Sequence, residues 1–247
     1  MQTKGSCVVN FLYFANGAKQ RLFEGTPEEG QKKYADALLE SDFLFADGIA
    51  LQLFCKRFIG KYPPNLNGTD LNPYLFEQLL KKQSVSLYLY QCYDPPKGKT
   101  VQFLQKGIDV LENRFPGLRV VRADQCLFRE KGKDFDWKGM HDTVQKDTSE
   151  IKIFFNCTGT PFQEIRVHDH EKQLRDCGFL IINAGGTIDY LTGYEQRAPK
   201  RVVKARVLET MRRITTNPKK NFKKFARMFG FFRILKKSWL KRVTNRK

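Results

Sequence analysis

Two apolar runs, each closed by glycine, set the limits on what this chain can fold into. Ile151 to Phe155 is strongly apolar and reads as a buried strand. It stops at Asn156-Cys157-Thr158-Gly159-Thr160-Pro161, and Gln163 and Glu164 then open a helical pattern. Phe179 to Ala184 repeats the design and ends in Gly185-Gly186. Strand–glycine–helix units in succession are the grammar of an open α/β sheet. In such sheets ligands sit in the loops beyond the carboxyl ends of the strands. Gln163, Glu164, Asp189 and Arg197 are therefore the first candidates for chemistry.

The rest of the chain keeps the same alternation. Val8 to Phe14 reads as a strand ending at Asn16-Gly17, and Thr26-Pro27-Glu28-Glu29 as a helix start. Asp42 to Ala46 is a short strand that delivers Asp47-Gly48. Asp47 is either a carboxylate poised at a strand end or the N-cap of a helix from Ile49 to Phe58. Gly68-Thr69-Asp70 opens a helix to Lys82, Ser84 to Gln91 is a strand, and Val101 to Phe115 a helix. Leu118 to Val121 is a strand, Asp124 to Trp137 an irregular polar loop, and Lys138 to Lys146 a helix. Gly98-Lys99-Thr100 tempts a phosphate-loop reading, but Tyr93 stands where GxxxxGK[ST] needs its first glycine. The pattern predicts a mostly parallel, Rossmann-like sheet with helices on both faces.

Charge divides the chain. The net charge is +18 over 247 residues, yet residues 1–196 carry 25 Lys/Arg against 25 Asp/Glu. Residues 197–247 carry 19 Lys/Arg and a single acid, Glu209. The expected organisation is an α/β domain over 1–198 and a basic helical appendage over 199–247. After Asn217-Pro218, Phe222, Phe225, Phe229, Phe232, Leu235, Trp239 and Val243 recur at helical spacing, with Lys and Arg between them. Such a helix can dock on the domain, bind nucleic acid, or lie on a membrane. Only the membrane uses both faces, with aromatics entering the headgroup boundary and cations meeting anionic lipid. Each such cation contributes on the order of 1 kcal/mol, which falls with salt.

The six cysteines are scattered without a CxxC pair, which predicts reduced thiols. His168 and His170 lack the further ligands that a zinc site needs. The amino terminus lacks the pattern of a signal peptide, and no apolar run approaches the roughly 20 residues that span a bilayer. These features predict a cytoplasmic protein, peripheral on the inner face of the cell membrane.

Five short motifs in order resemble the WecG/TagA/CpsF glycosyltransferases, from about Asn10 to Lys224. They are Asp47-Gly48; Gly68-Thr69-Asp70; Gly159, Pro161, Gln163 and Glu164; Gly185, Gly186 and Asp189; and Arg197-Ala198-Pro199 followed by Leu208-Glu209. The resemblance implies a Rossmann-like fold, a UDP-sugar donor and an undecaprenyl-diphosphate-linked acceptor. It also implies inversion at the anomeric carbon with no metal and no cofactor, in surface polysaccharide synthesis. The appendage would close over the active site at the membrane.

By the same resemblance Asp47 is the general base and Gln163 the active-site glutamine that orients substrates. Asn16, Gly159, Glu164, Gly185, Gly186, Asp189 and Arg197 fall in the substrate site. Arg213, Lys220 and Lys223 match basic positions that reach diphosphate groups. The chain departs from the family pattern at Phe14 (usually Thr), Asn65 (usually Arg), Phe162 (usually Lys) and Thr210 (usually Trp). These positions touch the donor and acceptor pocket, so the sugar stays open. Local alternatives stand beside the roles: a tight turn at Gly185-Gly186, a helix cap at Asp189, surface pairing of Arg197 with Glu195 or Glu209, and a first-turn helix acid at Glu164. A catalytically inactive membrane scaffold on the same fold and a basic-tailed nucleic-acid-binding protein are the rival functions.

Overall fold

The computed structural model describes residues 6–13, 29–64, 66–93, 101–127 and 135–195. Phe14, Asn16, Asn65, Gly98-Lys99-Thr100, Arg197 and the basic and aromatic residues of 199–247 lie outside the described residues. The elements in chain order are β1 (Cys7–Tyr13), α1 (Glu29–Leu39), β2 (Phe43–Asp47), α2 (Ile49–Ile59), α3 (Gly68–Leu80), β3 (Val85–Tyr93) and α4 (Val101–Arg114). They continue with β4 (Leu118–Leu127), α5 (Trp137–Lys146), β5 (Ile151–Cys157), α6 (Phe162–Asp169), α7 (Glu171–Asp176), β6 (Phe179–Asn183) and α8 (Thr187–Leu191). The described residues fall into two compact units, one taking in 6–11, 36–45 and 67–195, the other 12–13, 29–35 and 46–66.

The strands form one six-stranded parallel sheet in the order β2-β1-β6-β5-β3-β4. From β3 the chain moves outward to β4, whereas from β5 it moves the other way to β6. Right-handed crossovers therefore put the helices that follow β3 and β5 on opposite faces. The packing agrees. Phe76 of α3, Leu111 of α4 and Ile188 of α8 join Leu87, Phe155 and Ile182 in one core. Met140 of α5, Val167 of α6 and Leu174 of α7 join Tyr88, Phe154 and Ile181 in the other. Residues of β5 enter both cores, which is why its sequence is apolar almost throughout. Aromatic pairs set the spacing: Phe76 lies 5.4 Å from Phe115 and 5.3 Å from Phe155, and Tyr88 lies 4.8 Å from Phe179.

Three local expectations change. β4 runs to Leu127 rather than ending at Val121, and takes in the first residues of the expected polar loop. The register shifts between Leu87 and Tyr88, whose partners are Val120 and Arg122, so Val121 is the extra residue. Beyond it Arg122 and Asp124 share one side of the strand and pair at 2.6 Å. A separate short helix, α7, follows α6. Asp47 is also not a helix cap: it closes β2, and Gly48, at φ 97°, takes the cap position of α2 with no side-chain cap.

At the amino-terminal end of the sheet Asp147 gathers donors. Ser86 Oγ, Tyr88 OH (2.9 Å), Arg119 Nη2 (3.0 Å) and the Ser149 N–H (3.0 Å) all point at its carboxylate. Burial works against the charge, but the hydrogen bonds from Ser86, Ser149 and Tyr88 outweigh it and hold the pKa down at about 2. A carboxylate depressed in the folded state contributes stability above its unfolded pKa of roughly 4, lost as pH falls toward the folded value. Asp147→Asn should therefore cost on the order of 1–2 kcal/mol at pH 7, allowing for solvent screening. Urea melts across pH should show the gap to wild type closing between about pH 4 and 2.

Candidate functional site

The carboxyl ends of the central strands carry amides. A side-chain hydrogen bond joins Asn10 of β1 to Asn183 of β6, and register sets Asn183 beside Asn156 of β5. All three are buried, at 1%, 1% and 0% exposure. A buried amide needs partners. Asn183 Nδ2 donates to Asn10 Oδ1 (2.6 Å), and Asn10 Nδ2 donates to the Ala37 carbonyl (3.0 Å). Asn156 Oδ1 accepts from the Thr158 N–H (3.2 Å) and hydroxyl (2.8 Å). Its Nδ2 reaches the Gln163 carbonyl at 3.3 Å.

Gln163 clips the two glycine loops together. Its Oε1 accepts from the Gly159 N–H at 3.2 Å and from the Gly185 N–H at 3.0 Å. Its Nε2 donates to Glu164 Oε1 (2.8 Å) and the Asn183 carbonyl (3.2 Å), with Thr160 Oγ1 at 3.5 Å. Thr160 Oγ1 in turn donates to Glu164 Oε1 at 2.8 Å. A side-chain amide has two donors and one oxygen with two lone pairs, so the capacity of Gln163 is taken up by the protein. Gly159 and Gly185 hold φ at 90° and 56°, where a side chain would be strained. Those turns aim both N–H groups at one oxygen. Gln163 and Glu164 are buried at 2% and 1% exposure.

The structure thus brings together Gly159, Gln163, Glu164, Gly185, Gly186 and Asp189 in one unit. Gly186 caps α8 and Asp189 lies in its first turn, 8% exposed. Asp47 belongs to the other unit. There it is half-buried, and hydrogen bonds hold the backbone on either side. The Ala46 carbonyl accepts from the Leu66 N–H (3.1 Å), and the Gly48 carbonyl from the Gln52 N–H (3.4 Å). Gln52, fully buried, donates from Nε2 to the Pro63 carbonyl at 2.7 Å.

Sequence reasoning missed the amide row and Arg166. The signal for the row was present: Asn156 and Asn183 each stand at the end of an apolar run, in the same position of the two strand–glycine units. Arg166, on α6, is 9% exposed. Its guanidinium bonds the Tyr90 hydroxyl and lies 5.1 Å from the ring centroid. Burial lowers its pKa. The two histidines go to different neighbours: His168 Nδ1 lies 3.5 Å from Glu40, whereas His170 stacks 4.3 Å from Trp137. Glu40, His168 and Glu171 bring potential ligand atoms within 4.8 Å of one another. Glu171 is already bound by Arg175 at 2.6 Å. An open cleft of about 300 Å³ lies at the opposite end of the sheet, lined by Ser84, Val85, Gly117, Arg119, Thr148 and Ser149. None of the candidate residues lines it.

A parallel sheet with helices on both faces, and with glycine turns and buried polar groups at its carboxyl ends, defines an α/β protein of Rossmann-like architecture. The sequence model of the Glycosyl transferase WecG/TagA/CpsF family matches residues 26–245, and the chain belongs to that family of glycosyltransferases. No curated protein matches the chain. Among the described residues no helix is long and apolar enough to cross a membrane.

The clip can be tested by charge. Gln163→Glu keeps an acceptor for Gly159 and Gly185 but sets a carboxylate against Glu164 Oε1 and the Asn183 carbonyl. Its folded pKa should be raised, so the penalty is absent below about pH 4, where both states are protonated, and grows as pH rises. Denaturation should find the variant about 2–4 kcal/mol less stable at pH 7, converging on wild type in acid.

Proposed function

We propose that this protein moves one sugar from a UDP-sugar to a polyprenyl (undecaprenyl)-diphosphate-linked saccharide, with inversion and without a metal ion, in the assembly of a surface polysaccharide. The observation that carries the reading is the position of Asp47. It is the last residue of β2, at the carboxyl end of the strand, and Gly48 takes the cap position of α2. A carboxylate in that place suits a general base. It takes the proton of the acceptor hydroxyl as that oxygen attacks C1 of the sugar. The C1–O bond to UDP breaks, and UDP leaves with the electron pair. A positioned base of this kind contributes roughly 10²–10⁴-fold in rate.

In this reading Gln163 acts as a positioning residue, since its amide is already committed to the two loops. Gly159, Gly185, Gly186, Glu164 and Asp189 shape the substrate site, which Asn16 and Arg197 complete. Arg213, Lys220 and Lys223 neutralise the diphosphates, because without a metal only fixed cations and N–H donors stabilise a departing UDP. Residues 1–198 are the catalytic domain. Residues 199–247 form an appendage that binds anionic membrane through Phe222, Phe225, Phe229, Phe232 and Trp239, and keeps the enzyme peripheral on the cytoplasmic face.

The test is UDP release by the full-length protein on anionic liposomes carrying polyprenyl-diphosphate-sugar, across a panel of UDP-sugars. Acceptor-dependent release with one donor is expected, unchanged by EDTA. No release with any donor, from folded and liposome-bound protein, overturns the reading. Asp47→Asn should lose turnover by at least about 10²-fold while UDP binding stays near wild type.

Membrane association has its own measurement. Phe225→Asp with Phe229→Asp should abolish co-sedimentation with anionic liposomes, and undiminished binding would remove the membrane role from this segment.

A further inference from the structure

β3 and β4 run side by side, and their register sets Cys92 against Cys126. Both side chains turn to the core that contains Tyr90 and Phe154, and are 6% and 8% exposed. Their sulfurs lie 3.2 Å apart, closer than simple van der Waals contact between two sulfur atoms. Neighbouring strands hold facing Cα atoms about 4.8 Å apart, inside the roughly 4.4–6.8 Å span that a disulfide bridges. The backbone is therefore already in place, and the sulfurs need to approach by about 1 Å more.

From this geometry we infer that Cys92 and Cys126 form an oxidisable dithiol, a modification site at which a small-molecule disulfide closes a cross-strand bond. The thiolate of one cysteine attacks a sulfur of the reagent, here oxidised glutathione. A mixed disulfide forms, and one reduced glutathione leaves with the electron pair. The second cysteine attacks the sulfur of the first and expels the second glutathione. Two electrons pass from the protein to the reagent, and the two thiol protons end on the two released glutathiones.

Cys92 and Cys126 are the two cysteines that the β3–β4 register sets face to face. Cys157 belongs to the core on the other face of the sheet. Cys7, Cys55 and Cys177 are only partly buried and lie outside that strand pair. Cys92 and Cys126 are each the residue before last in their strands, at the carboxyl edge of the sheet. All six cysteines are reduced in this structure.

Closure has a route to the glycine loops. Cys92 Sγ donates to the Thr158 carbonyl at 3.4 Å, and Thr158 is the residue whose N–H and hydroxyl Asn156 holds. A disulfide has no S–H, so that carbonyl loses a donor when the bond forms.

The experiment is thiol mapping on the full-length wild-type chain under native conditions. The protein equilibrates with mixtures of oxidised and reduced glutathione, remaining thiols are alkylated, and the peptides are identified by mass. The expected product is one intramolecular Cys92–Cys126 disulfide. It should form at glutathione ratios that leave the other four cysteines alkylatable, and dithiothreitol should reverse it. Cys92→Ser and Cys126→Ser should each leave no disulfide within the chain. Six alkylated cysteines across the whole series would overturn the inference, as would disulfides that join other pairs or separate chains.

Discussion

One amide oxygen settles the geometry of this protein's candidate site. Gln163 Oε1 receives the N–H groups of Gly159 and Gly185, which stand in the turns after β5 and β6. Each turn also has a side-chain tie of its own, Asn156 to Thr158 in the first and Thr187 to the Ala184 carbonyl in the second, but Gln163 joins the two. Both N–H groups are part-buried, so losing that oxygen would cost at most about 1 kcal/mol at each and would loosen both turns together. The glycines follow from this: only a residue at ease with positive φ can turn its N–H toward that oxygen.

The sheet distributes its buried polar groups between its two ends. At the amino-terminal end Asp147 is a charged knot, satisfied by hydroxyls, an arginine and a backbone N–H. At the carboxyl end the row Asn10, Asn183, Asn156 is neutral. A charged cluster suits an anchor that stays shut. Neutral amides fix backbone direction without adding charge of their own, and the charge at that end comes from Glu164 and Asp189.

Much of the fold was legible because the central strands are buried on both faces. Such strands announce themselves as apolar runs, and glycine marks their ends. The site was legible only in part. Gln163, Glu164 and the glycines stand in local patterns, but the partners of Gln163 come from a turn 22 residues away. The contact between Asn10 and Asn183 spans 173 residues. No local pattern can reveal such pairings. β4 misled for a different reason. Its extra residue, Val121, breaks the period-2 alternation, and the strand resumes with the charged Arg122 and reaches Asp124, where the sequence reads as loop. The cap reading of Asp47 failed because glycine itself took the cap position.

The irregularity in β4 bears on how the molecule behaves in a crowded solution. Among the described residues β4 ends the sheet, and the outer side of an edge strand's backbone is a template on which another chain could build. A long, flat, apolar edge there would invite fibrils. Here the extra residue bends the strand out of flatness. Arg119, Arg122 and Asp124 add charge along it, and Arg119 is 61% exposed at its side chain. A neighbouring molecule seeking to extend the sheet would meet a kink and fixed ions instead of a straight ladder. The feature that hides this strand from a reader of the sequence also guards it against unwanted partners.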